Sequence, residues 1–80
     1  MKPVRFTRGS RKHRIGRASS RHVINNTTAI EDRFPPTGDT RFTWTGLDER
    51  GRELEIIAID RPDCVLVIHV VPTHYRERKP

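Results

Sequence analysis

Residues 52–71 read Arg-Glu-Leu-Glu-Ile-Ile-Ala-Ile-Asp, then Arg-Pro-Asp, then Cys-Val-Leu-Val-Ile-His-Val-Val. Most of the aliphatic residues of the chain lie here, as β-branched residues or Leu in two runs of strand length separated by a turn signal, which predicts a β-hairpin. Pro62 presets one turn torsion, and the short polar side chain of Asp63 favours the turn. In the first run Glu53, Glu55, Ile57 and Ile59 fall on one face, and Leu54, Ile56 and Ala58 on the other. The second run, residues 64–71, is apolar on both faces except at His69. Such a strand is expected inside a sheet, with neighbours on both sides and cover on both faces.

Working outward, residues 41–47 alternate Phe42 and Trp44 with Arg41, Thr43 and Thr45, a half-buried strand with its aromatics on one face and Trp44 in the core. Residues 48–51, Asp-Glu-Arg-Gly, form a hairpin connection in which Gly51 takes a left-handed conformation. Residues 27–34 are β-rich or extended, and Pro35-Pro36-Thr37-Gly38-Asp39 is a loop. Near the start, Val4 and Phe6 alternate with polar neighbours in a short edge strand that Pro3 tolerates only at an edge or a strand start. Ser10 is placed to cap a helix over residues 11–15 that stops at Gly16, and Ser19 or Ser20 to cap a second through residues 21–24. One continuous helix over residues 10–25 also satisfies the spacing of Ile15, Ala18 and His22, but Gly16 favours two. The predicted order is a short N-terminal strand, two short helices and a three-stranded antiparallel meander, an α+β domain with its helices on one sheet face. The other face is left partly open.

Eighty residues make one small domain, which buries only about 60–65% of the surface its unfolded chain exposes. Cys64 is the single cysteine, so no intrachain disulfide forms and a reducing compartment is expected. No apolar run approaches the length of a membrane span, and the basic first residues are not followed by a hydrophobic segment, so neither a membrane anchor nor a signal peptide is expected. The expected location is cytoplasmic. Charge is segregated: residues 1–26 carry eight Lys or Arg and no acid, residues 27–71 five basic and nine acidic residues, and residues 72–80 three basic and one acidic. A basic N-terminal third joined to an acidic sheet-forming region suggests a partner with a dense negative field, nucleic acid first. A solvated basic face that meets an acidic protein is the alternative.

Three segments resemble the small RelE-like toxins of type II toxin–antitoxin pairs, and among them the BrnT-like branch. Arg11-Lys12-His13, followed by a break and a second helix, is similar to the Lys-His motif at the end of that family's first helix. Arg41-Phe42-Thr43-Trp44-Thr45-Gly46, leading into a Gly-containing turn and an aliphatic strand, resembles its middle hairpin. Val67-Ile68-His69-Val70-Val71-Pro72-Thr73, running into Arg76-Glu77-Arg78, resembles its last strand and basic tail. The likeness spans roughly residues 11–78 and implies one RelE/BrnT-like domain over residues 1–80, with residues 72–80 as a basic tail. It implies an endoribonuclease that cuts mRNA, on or off the ribosome, arrests growth, and is neutralised by a co-encoded antitoxin that is a small DNA-binding protein. Two departures stand out: His69 and Val71 occupy the strand where the family offers a small polar residue and then an Arg. A non-catalytic nucleic-acid-binding protein of the same fold, or a toxin that acts on gyrase by protein contact, are the alternatives.

Metal-independent RNA cleavage needs a base for the 2′-OH proton, an acid for the leaving oxygen and cations around the phosphorus. Only His13, His22, His69 and His74 have an unperturbed pKa near neutrality. The candidate catalytic set is His13, His69, His74 and Arg76. Lys12, Arg14, Arg17, Arg21, Arg41, Tyr75 and Arg78 are candidate RNA contacts, the arginines by their planar fork and Tyr75 by stacking on a base. Each has a structural alternative: His69 as a satisfied strand histidine, His13 as a helix C-terminal group, His22 as packing, and the arginines as solvated charge. No Cys, His and carboxylate set has ligand spacing, so no metal and no cofactor are expected.

Overall fold

The computed structural model describes residues 2–34 and 38–74. Five strands form one mixed sheet: β1 (Val4–Phe6), β2 (Ile30–Phe34), β3 (Asp39–Leu47), β4 (Glu53–Asp60) and β5 (Val65–Pro72). The strand order is β1-β5-β4-β3-β2. β2 through β5 are antiparallel neighbours, and β1 joins β5 in parallel, with Val4 opposite Val65 and Phe6 opposite Val67. A 3-10 turn (Gly9–Arg11) and one α-helix, α1 (Arg17–Asn26), connect β1 to β2.

The expected architecture of two short helices and a three-stranded meander is therefore corrected to a five-stranded sheet with one α-helix among the described residues. Two local causes account for the lost first helix. Ser10 does not cap a following helix: its hydroxyl donates back to the Thr7 carbonyl at 2.7 Å, which closes a tight turn instead. Arg14 then takes a left-handed conformation, φ 61°, which ends any right-handed helix before Ile15. Gly16, expected as a helix stop, is extended (φ −68°, ψ 156°) and stands at the N-cap of α1. The additional strand is the β-rich segment after the helix, which pairs with β3 from Ile30 opposite Thr43 to Phe34 opposite Asp39.

The central hairpin forms as its pattern predicts. Arg61 N–H donates to the Cys64 carbonyl at 2.9 Å across the turn, and Leu54, Ile56 and Ala58 are fully buried. They meet Trp44, Val67, Val70, Val23 of α1 and Ile15 in one core. At the central three of these positions alone, burial contributes about 1–3 kcal/mol per aliphatic side chain. β5 lies inside the sheet, and its core face, with Val67 and Val70, packs beside the 3-10 turn and Ile15, while α1 lies over β3 and β4. The apolar run of β5 on both faces reflects a bulge: Ile57 faces His69 and Ala58 faces Val67, so Ile68 is the extra residue. The other face, which α1 does not cover, carries Leu66, His69, Ile57, Ile59, Glu55, Thr43, Arg41, Ile30 and the buried Val71, as their cross-strand register places them together.

The buried stripe of α1 is not Ile15, Ala18 and His22 but Ser19, Ser20 and Val23, while Ala18 and His22 are exposed. Small residues are needed because the helix comes close to β3. A Cβ added to Gly46 would stand 2.3 Å from Thr27 Cγ2 and 3.6 Å from Val23 Cγ1. Thr27 is itself held by its hydroxyl, which donates to the Val23 carbonyl at 2.6 Å and satisfies one of the last helical acceptors.

Candidate nucleic-acid interface

On leaving β1, the chain is pinned at two points before it enters α1. Thr7 N–H donates to Val67 O at 3.0 Å, and Ser10, 1% exposed, donates its N–H to Thr7 O at 3.2 Å. Ile15, 5% exposed, anchors the other end in the core. Around and between these anchors Arg8, Arg11, Lys12 and Arg14 all point to solvent, and His13 is half-buried among them. Arg17 and Arg21 follow one helical turn apart on the exposed side of α1. Arg21 also stacks its guanidinium over the Phe6 ring, 5.8 Å from the centroid, which ties the helix face to β1.

Six exposed cations thus lie within fourteen residues, and none forms an ion pair among the described residues. Two cations elsewhere in the chain are paired. Lys2 pairs with Asp60, and Arg52 pairs with Asp48 at 2.7 Å. Helix α1 has no acid in its first turn, so its positive end adds to this field rather than being offset by its own side chains. The acid that does approach that turn comes from the β3–β4 connection: Ser19 donates to Glu49 Oε2 at 3.0 Å.

That connection is built on Asp48, whose side chain is fully buried. It accepts the N–H of Arg50 at 2.9 Å, the N–H of Arg52 at 2.8 Å and the Arg52 guanidinium at 2.7 Å. Burial acts to raise its pKa, but the Arg52 backbone and guanidinium and the Arg50 backbone outweigh it and hold the carboxyl below its ordinary value. The same Arg52 reaches Ser19 Oγ at 3.4 Å, so Asp48 fixes the turn against the start of α1. Gly51 takes the left-handed conformation that the turn was expected to need, φ 78°.

The candidate site residues divide into three groups. Lys12, His13, Arg14, Arg17 and Arg21 are brought together by the two anchors and the helix start. His69 and Arg41 are elsewhere, on the sheet face away from α1: His69 Nε2 lies 3.4 Å from Glu55 Oε1, and Arg41 stands opposite Ile59 and Asp32. The sheet therefore separates His69 from the face on which α1 and Ile15 pack. His74, exposed, follows Thr73, whose hydroxyl donates to Glu53 Oε1 at 2.6 Å. β1 runs parallel to β5 but ends opposite Val67, so the basic segment leaves the sheet partway along β5, whereas His74 lies beyond the end of β5 at Pro72. Tyr75, Arg76 and Arg78 lie outside the described residues.

Sequence reasoning passed over Arg8 and Arg11, which share the exposure of their neighbours, and Asp48, which it read only as a turn residue. A signal for the first two was present in the acid-free run through residue 26. For Asp48 the spacing to Arg52 was visible, but the burial that makes the pair matter was not. Among the described residues, no group of three or more His, Cys, Asp or Glu could hold a metal ion, and no helix is long and apolar enough to cross a membrane. Comparison with protein-family models, with curated proteins and with solved structures finds no match.

Proposed function

We propose that this protein binds RNA through the surface formed by Arg8, Arg11, Lys12, Arg14, Arg17 and Arg21. The observation that carries this reading is that all six cations are exposed and without an ion pair among the described residues. A folded domain gains nothing in stability from crowding like charges, whereas a phosphate backbone that meets them releases counterions. Arg supplies five of the six, the side chain that best matches phosphate geometry. Binding to single-stranded RNA, measured by fluorescence anisotropy between about 50 and 300 mM salt, is expected to weaken with a log–log slope of about −3 to −4. That slope corresponds to four to six neutralised phosphates at about −0.7 each. Absence of binding at the lowest salt, or a slope near zero, overturns the proposal.

A second reading adds cleavage at the same surface, as the RNase of a toxin–antitoxin pair. It is favoured by His13, which is half-buried between exposed Lys12 and Arg14, next to the one non-glycine left-handed residue among those described. Residues held in sparse backbone regions concentrate at functional sites. In this reading His13 takes the 2′-OH proton, the 2′-oxygen attacks phosphorus, and the 5′-oxygen leaves with a proton from His74, giving a cyclic phosphate and a free 5′-OH. Growth arrest on expression, and its relief by an antitoxin, belong to the same reading. In purified form, His13→Ala is expected to abolish cleavage while RNA affinity changes less than about twofold. Full cleavage by that variant excludes His13 as the base, and uncut RNA with the unaltered protein removes the catalytic reading while leaving binding intact.

A further inference from the structure

The two edges of the sheet are unlike each other. β1 is three residues long and begins directly after Pro3, with Lys2 closing over it onto Asp60 and onto the Arg61 carbonyl at 2.7 Å. A three-residue strand with a charged side chain closed over it is a guarded edge. β2 has five residues, no proline, and ends the sheet on its outer side. Ile30 is 65% exposed at its start, and Glu31, Asp32 and Arg33 are all exposed. None of those three charged residues forms an ion pair among the described residues.

The order of charge along β2 is self-complementary. In an antiparallel pairing of β2 with a second β2 about a two-fold axis at Asp32, Glu31 of each copy faces Arg33 of the other. Ile30 falls opposite position 34. The register that overlaps the whole strand is thus also the one that forms two opposite-charge cross-strand pairs. A two-fold at position 31 would oppose glutamate to glutamate, and one at position 33 arginine to arginine. The one unfavourable contact, Asp32 against Asp32, lies beside two positive groups, because Arg41 stands directly opposite Asp32 in each copy on the same sheet face. Glu31 and Arg33 share the opposite face with Phe42 and Thr40, so the ion pairs and the aspartates do not compete for space.

We infer that β2 is a homodimerisation edge, and that two copies of this chain pair through it into a continuous ten-stranded sheet, twice the five strands of one copy. The pairing is isologous, closes on itself and leaves only the guarded β1 edges outside. A five-residue edge is a small interface of the weak, transient size class. The dimer is therefore expected to dissociate on dilution, in the micromolar range or above. This inference does not depend on RNA binding.

Charge reversal tests it. Glu31→Arg leaves two arginines on the edge, and Arg33→Glu leaves two glutamates. Each variant alone should weaken self-association about thirtyfold, from two pairs turned from attractive to repulsive. An equimolar mixture of the two variants should restore a dimer of unaltered affinity, because arginine edges then face glutamate edges. The double exchange, Glu31→Arg with Arg33→Glu, should self-associate like the original chain. Sedimentation equilibrium over a hundredfold range of protein concentration reads all four, with circular dichroism to show that each variant folds. An unaltered protein that stays monomeric throughout, or a dimer that survives both single variants, overturns the inference. Failure of the mixture to associate overturns the register.

Discussion

Replacing Asp48 by asparagine tests how the β3–β4 turn is held, and its size can be worked from the contacts. The carboxylate accepts three hydrogen bonds of 2.7–2.9 Å with no exposure of its side chain. Bonds to a charged acceptor contribute about 2 kcal/mol each and neutral ones about 1. Asparagine keeps two backbone bonds as neutral bonds and turns a donor toward the Arg52 guanidinium, a gross loss of about 4 kcal/mol. Roughly half is recovered, because a buried charge no longer has to be kept from water and Arg52, 37% exposed, re-solvates. The net cost is about 2 kcal/mol, against a total for a chain of this length of about 4–12 kcal/mol. With a urea slope of about 1 kcal/mol/M, the midpoint should fall by about 2 M. The pH dependence gives an independent check. The folded pKa of Asp48 lies below its unfolded value, so its contribution is present above the unfolded pKa and is lost as pH falls through the folded one. The gap between the two proteins should therefore be full at pH 7 and close on acidification below about pH 4. A midpoint shift under about 0.5 M at pH 7, or a gap of the same size at pH 2.5, refutes the account.

Three further outcomes follow from the same contacts. Gly46→Ala forces a methyl to 2.3 Å from Thr27 Cγ2 and should cost about 2 kcal/mol in thermal or urea unfolding; adding Thr27→Ala should recover at least half, and no recovery would mean the close approach is not the cause. Arg14→Gly relieves a left-handed residue at φ 61° and should raise stability by about 0.5 kcal/mol, the relief of about 1 less the unfolded-state entropy of glycine, while lowering RNA affinity; reduced stability would show that the Arg14 side chain is needed for folding. Lys12→Ala with Arg14→Ala should flatten the salt slope of RNA binding by about 1.4, whereas His69→Ala, on the face away from α1 beside Glu55, should leave that slope unchanged.

The hairpin of residues 52–71 was legible because alternation and turn chemistry are local. Leu54, Ile56 and Ala58 announce a buried face by spacing alone, and Arg61-Pro62-Asp63 announces the reversal. The segregated charge of the first third was equally plain. The early helix was misread because Ser10 and Gly16 each have two uses, and local chemistry does not choose between them. Ser10 closes a turn onto Thr7, and Gly16 begins a helix instead of ending one.

For the candidate site, chain order put Lys12, His13, Arg14, Arg17 and Arg21 close together, and the fold keeps them so. Only the sheet shows that His69 and Arg41 belong to another face, because the side on which a strand residue points depends on register with its neighbours. The bulge at Ile57/Ala58 alone reverses the expected facing of half of β5. The sequence by itself determined the short N-terminal strand, the three strands of residues 41–71 with the turns between them, and the basic segment, since each rests on residues adjacent in the chain; that residues 30–34 join the sheet as β2 it did not decide. The tertiary structure decided the parallel union of β1 with β5, the burial of Asp48 and the exposed edge of β2. Each of these depends on how elements pack and pair across the whole sheet, whose energy no local pattern records.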